Sequence, residues 1–253
     1  MIGHVIVTDE DATRVIMLRR PEKKNAVTQD MYRGMSEAID TAQNNPEIRC
    51  IIITGGSGVF TAGNDLEDFL KDSAEKADSP RASNAVKFLY SLAQNTKPII
   101  AAVDGIAIGI GTTMLFHCDY VLASTTATFS TPFIHLGLVP EAASSLLMPR
   151  AMGHQRAFAT LVMGRKVTAE EAREAGFVNV VVAPGHTEAE ARKVAREICA
   201  LPAEAVAISR RLLKLPPEDL TRRIDQEGQL FGERMKSTEA ISAFKAFFAR
   251  KKA

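Results

Sequence analysis

The chain has 253 residues, 46% of them apolar and 24% charged, and a formal net charge of +1. That length buries a sizeable core in one large domain, or in one domain with an appendage. The near-neutral balance excludes an electrostatic case for a nucleic-acid partner or a membrane surface.

In chain order, His4 to Thr8 and Arg14 to Leu18 are β-rich runs around a polar Asp9 to Thr13, which predicts a hairpin. Arg19 to Asn25 is a polar loop, and Thr28 is a plausible N-cap for a helix with Met31, Met35 and Ile39 on one face. Ile51 to Ile53 is a buried strand, so strand, helix and strand predict a right-handed crossover. Gly55 to Gly63 is a glycine-rich loop, and Asn64 to Phe69 begins a helix with acidic residues in its first turn. Lys71 to Arg81 is polar and is expected to be the most mobile stretch of the core. Ala82 to Gln94 has helical spacing through Val86, Leu89 and Leu92.

Ile99 to Val103 is a short β-branched run closed by Asp104-Gly105, and it predicts a central buried strand. Gly109 and Gly111 then flank Ile110 before an apolar helical run from Thr112 to Phe116. A helix opening on glycines presents unpaired N–H groups that suit an anionic oxygen. Close packing of helix on sheet explains the same glycines without a ligand. Two phosphate motifs are excluded: Gly109 to Met114 lacks the third glycine of the dinucleotide fingerprint, and Asn64 stands where a P-loop needs lysine.

Tyr120 to Ser124 and Ala127 to Ser130 read as short strands. The rest reads as mostly helical: Ala142 to Met152, His154 to Met163, Thr168 to Glu174, then a strand Val178 to Val182. Thr187 is placed to cap a helix to Ala200, Pro202 precedes Ala203 to Leu213, and Pro216-Pro217 precedes one final pattern to Lys252. Phe244, Phe247 and Phe248 give that pattern an apolar face, either core or an oligomer or ligand-closing surface.

Cys50, Cys118 and Cys199 lie far apart without C-x-x-C spacing, and the five histidines are scattered, so no disulfide framework and no metal site is expected. Acidic residues Asp9 to Asp11 argue against a signal peptide in residues 1–20, and no apolar run has membrane-spanning length. The terminal Arg250 to Ala253 is not a peroxisomal address, so a cytoplasmic protein is expected.

Arg20-Pro-Glu-Lys-Lys-Asn-Ala26, Phe60-Thr-Ala-Gly-Asn-Asp-Leu66, Gly105-Ile-Ala-Ile-Gly-Ile-Gly111, Cys118-Asp119 and Leu136-Gly-Leu-Val-Pro140 stand in a characteristic order and spacing. With Gly153 to Ala157, Thr168 to Ala172 and Ala175 to Val178, that set resembles the crotonase (enoyl-CoA hydratase/isomerase) superfamily over nearly the whole chain. The resemblance implies an α/β fold, a crotonase-like spiral of ββα units over residues 1–195. It adds a C-terminal helical oligomerisation region over 196–253, making homotrimers or hexamers. It implies an acyl-CoA thioester substrate, with coenzyme A as part of the substrate and no other cofactor. The backbone N–H groups of Asn64 and Ile110 would form its oxyanion hole, which stabilises a developing enolate oxygen. Ala62 would contact the adenine and Lys23 or Lys24 the phosphates, with Gly63, Asp65, Leu66, Gly109 and Phe133 completing the substrate site.

Hydratases of the superfamily use two glutamates, and at the positions the resemblance aligns with them this chain has Thr113 and Phe133, neither of which can act as a general base. Glu141, in Pro140-Glu-Ala-Ala-Ser-Ser145 after Thr131-Pro-Phe133, instead resembles the single base of the Δ3,Δ2-enoyl-CoA isomerases. Its apolar neighbours Val139, Pro140, Ala142 and Ala143 should raise its pKa towards neutrality. The implied activity is a shift of a 3-enoyl double bond to the 2-enoyl position. The alternatives are a hydratase, a non-catalytic acyl-CoA-binding or assembly subunit, or a Glu141 that merely opens an exposed helix. Asp65 is expected to cap or pair within its helix, and His135 to pack or orient.

Overall fold

The computed structural model describes residues 4–75 and 82–252. The predicted hairpin is β1 (Val5–Glu10) and β2 (Thr13–Leu18), antiparallel with Val5 opposite Leu18. Thr28 caps α1 (Gln29–Asn44), its hydroxyl accepting the Met31 N–H at 3.3 Å, and Met31, Met35 and Ile39 form the buried stripe.

From there the chain repeats one pattern of long strand, short strand and helical segment. The first repeat is β3 (Cys50–Thr54), β4 (Val59–Thr61), α2 (Leu66–Glu75) and α3 (Asn84–Gln94). The second is β5 (Ile99–Val103), β6 (Ile106–Ile108) and α4 (Ile110–Thr113). The third is β7 (Tyr120–Ser124), β8 (Thr128–Ser130), α5 (Ser144–Met152) and α6 (His154–Leu161). The closing elements are β9 (Val167–Thr168), α7 (Ala169–Glu174), β10 (Val180–Val182), α8 (Thr187–Ala200), α9 (Ala203–Leu213), α10 (Pro217–Met235) and α11 (Thr238–Lys252).

The long strands share a sheet of order β1-β2-β3-β5-β7-β10, and the short ones a second sheet of order β4-β6-β8-β9. The successive repeats pair in parallel in both sheets, which makes the expected α/β spiral of ββα units. Strands β3 and β5 are buried along their whole length, as parallel strands covered on both faces must be. Their alternation divides the core: Ile51, Ile53, Ile99 and Ala101 face the side of α1 and α3, while Cys50, Ile52, Ile100 and Ala102 meet Ala191 and Ala195 of α8.

The C-terminal helices fold back onto this core. Arg210 of α9 donates from Nε to Asp119 Oδ2 at 2.8 Å and from Nη1 to the Asn95 carbonyl at 2.7 Å. Gly137 (φ +69) lies so close to α11 that an added Cβ would stand 2.8 Å from the Ala240 nitrogen. Among the described residues, no helix is long and apolar enough to cross a membrane, and no cluster of side chains is suited to a metal.

The structure corrects several sequence expectations. The final pattern is two helices, α10 and α11, broken at Lys236-Ser237. The helix expected from Ala142 begins at Ser144, because Ala142 and Ala143 are left-handed, with φ of 61° and 54°. The apolar run after Gly111 is the four-residue α4 followed by a 3-10 turn over Met114–His117, too short to develop a large dipole. Thr187 is the buried first residue of α8, preceded by His186 as N-cap, so it does not cap that helix. The strands β4, β6 and β9, of three, three and two residues, lack the length that gives a sequence signal. Of the polar Lys71 to Arg81, residues 71–75 complete α2 and 76–81 lie outside the described residues.

Candidate active site

Two glycine turns stand side by side at the ends of the short strands β4 and β6. Gly63 has φ +84 and lies so near the second turn that an added Cβ would be 2.7 Å from the Ile108 carbonyl oxygen. Gly109, with φ +57, donates its N–H to the Ser130 carbonyl at 2.8 Å, and Thr112 Oγ1 donates to the Ala107 carbonyl at 2.7 Å. These bonds pin the start of α4 onto β6 and β8. On the other side, Val27 donates to the Gly63 carbonyl and accepts from the Asp65 N–H, so the intervening Asn64 N–H faces away from it. Neither the Asn64 N–H nor the Ile110 N–H donates to an acceptor among the described residues. Unpaired amides in so enclosed a place are rare, and two on facing turns form a ready anion receptor.

The Asn64 side chain is itself held. Tyr32, buried on α1, donates its phenol to Asn64 Oδ1. Burial, reinforced by the negative charge of Glu141, keeps that phenol well above its ordinary pKa, so it is a neutral donor. Tyr32 thus touches one amide turn and lies within electrostatic reach of the carboxyl.

Glu141 stands on the turn before α5. Burial pushes its pKa up to about 8; a hydrogen bond from Thr113 Oγ1 to Oε1, 2.5 Å long, opposes that rise, and the charge of Glu227 adds to it. Thr113 is the last residue of α4, so the element that begins with the Ile110 amide ends on the hydroxyl that holds Glu141. The turn after Glu141 spends two consecutive non-glycine residues in the left-handed region, at about 1 kcal/mol each. Three contacts hold it: His117 Nε2 donates to the Ala142 carbonyl at 2.8 Å, and the N–H groups of Ala143 and Ser145 donate to Glu227 Oε2 and Oε1 at 2.6 and 2.9 Å. Burial pushes His117 down to about 4, which leaves it neutral with a proton to give.

Phe133 closes the apolar side. Its ring lies 3.8 Å from where a Gly109 Cβ would stand and meets Phe231 of α10 edge-on, and Phe231 meets Phe69 of α2 the same way. An open apolar cavity of about 600 Å3 lies between α2, α10 and α11, lined by Leu70, Met235, Ile241, Phe244, Lys245 and Phe248.

Of the other residues singled out in the sequence, Lys24 accepts the Ala62 N–H on its carbonyl at 2.9 Å, which sets its exposed side chain beside the Ala62-Gly63 segment. The Asp65 carboxylate is taken by Arg20 at 2.8 Å and by the Glu67 and Asp68 amides at the start of α2. Burial alone would raise its pKa, and those donors outweigh it and hold it below the carboxylate range. Leu66 opens α2 and packs against the core, and His135 is exposed against Gly164.

Sequence reasoning missed Tyr32, His117 and Glu227. For Glu227 a signal existed: it falls on the buried stripe Leu220, Ile224, Glu227, Phe231 of α10, and an acid on an apolar stripe demands partners. Tyr32 adjoins the Met31 stripe of α1 in the same way, whereas His117 carried no such pattern.

A family model described as enoyl-CoA hydratase/isomerase matches residues 8–253. The enoyl-CoA delta isomerase 2 of Rattus norvegicus is 34% identical over 250 residues, 98% of this chain, which spans 64% of the rat protein's length. The 1,2-epoxyphenylacetyl-CoA isomerase of Escherichia coli (strain K12) is 29% identical, with 97% of each chain covered. Among solved structures, OdaA of Pseudomonas aeruginosa superposes with a TM-score of 0.90 at 41% identity, covering 97% of this chain and 98% of that one.

Proposed function

The chain belongs to the enoyl-CoA hydratase/isomerase family, and we propose that it is an isomerase that shifts the double bond of a 3-enoyl-CoA thioester to the 2-enoyl position. The observation that carries this reading is the pairing of one desolvated carboxyl, Glu141, with two unpaired amides, Asn64 and Ile110.

The thioester carbonyl accepts from those two N–H groups, and Glu141 removes a proton from C2. The electron pair moves into a dienolate whose oxygen the amides stabilise, an effect worth about a hundredfold or more per donor. The same carboxyl then returns its proton to C4, and the double bond settles between C2 and C3. A base with a pKa near 8 suits both halves, since it takes and gives a proton with little penalty either way.

Coenzyme A enters as part of the substrate, along Lys24, Ala62, Gly63, Asp65 and Leu66. Phe133, Phe231 and Phe69 form a dry wall that leads the acyl chain towards the apolar cavity. Hydration is disfavoured because it needs a second acid or base. Thr113 is committed to Glu141, Phe133 is apolar, and both oxygens of Glu227 already accept backbone N–H bonds. Residues 196–253 are proposed to carry assembly into a trimer or hexamer, and the cytoplasm is the proposed compartment.

The test is an ultraviolet assay of the conjugated thioester band with a 3-enoyl-CoA and, separately, a 2-enoyl-CoA. The band should grow from the first substrate and be lost in Glu141→Ala. Decay of the band from the second substrate would mean that water is added and the reading is wrong.

A further inference from the structure

We propose that Glu227, on α10, is a positioning residue for Glu141: it holds the turn that carries the base and, through its own charge, sets the pH range in which that base accepts a proton. The inference rests on the reading of Glu141 as the base.

The geometry is specific. Glu227 is 5% exposed, and its two oxygens receive the Ala143 and Ser145 N–H groups, one on each side of Ser144. Burial raises the Glu227 pKa above the ordinary carboxylate value, and the hydrogen bonds from Ser145 and Ala143 and the charge of Arg223 oppose that rise and favour the charged form. Without it, the left-handed Ala143 would lose its partner and only the His117 bond to Ala142 would hold the turn, so Glu141, immediately before it, would be less firmly directed. The ionisable groups facing this pair from the neighbouring elements are Tyr32 of α1, His117 of the turn after α4, and Arg223 of α10, which donates to Ser145 Oγ at 3.1 Å. Tyr32 and His117 are neutral, so the charge acting on Glu141 is that of Glu227, and the charge of Arg223 acts in turn on Glu227, favouring its ionised form.

Removing a like charge favours the ionised form of its neighbour. E227Q should therefore move the acid limb of kcat/KM, which reports the free protein and is centred near the Glu141 midpoint of about 8, down by about 1 pH unit, while the plateau falls about tenfold from lost positioning. E227D keeps the charge on a shorter arm, so it should lose plateau rate and leave the midpoint in place. R223Q removes a charge that favours ionised Glu227, so it should move the Glu141 midpoint down by less than E227Q does; this variant carries the test if E227Q does not fold.

A second readout does not need turnover. The protonated carboxyl stretch of Glu141, isolated as the infrared difference between wild type and E141Q, is followed against pH in each variant. A lower midpoint in E227Q with no conversion of 3-enoyl-CoA by any variant would keep the coupling and sink the isomerase reading. Conversion with an unchanged or higher midpoint in folded E227Q, or in R223Q, would overturn the inference.

Discussion

Glu141 is pulled in two directions, and each pull can be removed separately. Thr113 donates to its carboxylate and favours the ionised form, so Thr113→Val should move the acid limb of the pH–rate profile upward by about 1 unit. An unmoved limb would mean that the hydroxyl does not serve the base. The raised pKa also has a thermodynamic sign. The folded state keeps a proton that the unfolded chain releases between 4.5 and about 8, so stability falls as pH rises through that window. His117 acts at the other end: its folded pKa of about 4 lies below the ordinary 6.5, so stability present above 6.5 is lost as pH falls towards 4. The two slopes oppose each other between 4.5 and 6.5, and above 6.5 that of Glu141 stands alone, so melting temperature should fall from pH 6.5 to about 8 in the wild type and lose that fall in Glu141→Gln; an unchanged fall would contradict the assignment. Glu141 could be singled out as a candidate from its motif because the residues around it follow a local pattern. Its environment was not legible: Tyr32, His117 and Glu227 reach it from 109, 24 and 86 positions away in the chain, and only packing brings them there.

The elements of the site are short and depend on each other. The α4 segment is a single turn, so its amide is oriented by the Gly109 bond to Ser130 and by Thr112, more than by any helix dipole. The close approach of Gly63 to Ile108 keeps the two amide turns in register. Gly63→Ala would put a Cβ 2.7 Å from a carbonyl oxygen at a positive φ, so it should separate the turns and lower kcat about a hundredfold or more while the fold survives. Circular dichroism would confirm the fold, and full activity in a folded Gly63→Ala protein would refute the donor assignment. The long buried strands and α1 were readable because their periodicity and capping are local. The short strands β4, β6 and β9 and the Ala142-Ala143 turn were not, since nothing in an alanine pair announces a left-handed conformation that His117 and Glu227 hold in place.

Across the molecule, the C-terminal helices belong to the site as well as to any assembly surface. Glu227 and Phe231 come from α10, and α11 packs on the turn at Gly137 that follows Phe133. Arg210 ties α9 to Asp119 and Asn95, at the edge of the central strand. Arg210→Ala leaves Asp119 short of its partner and should cost about 3 kcal/mol of stability, read from the urea midpoint; a change within about 0.5 kcal/mol would show that Lys214 alone suffices. The most direct test of the whole account runs the wild-type protein on an unlabelled 3-enoyl-CoA in heavy water and reads the product by mass spectrometry and proton NMR at C4. A single shielded carboxyl that carries the C2 proton to C4 predicts a 2-enoyl product with mainly protium at C4. Full deuterium at C4, or a product heavier by one molecule of heavy water, would contradict it.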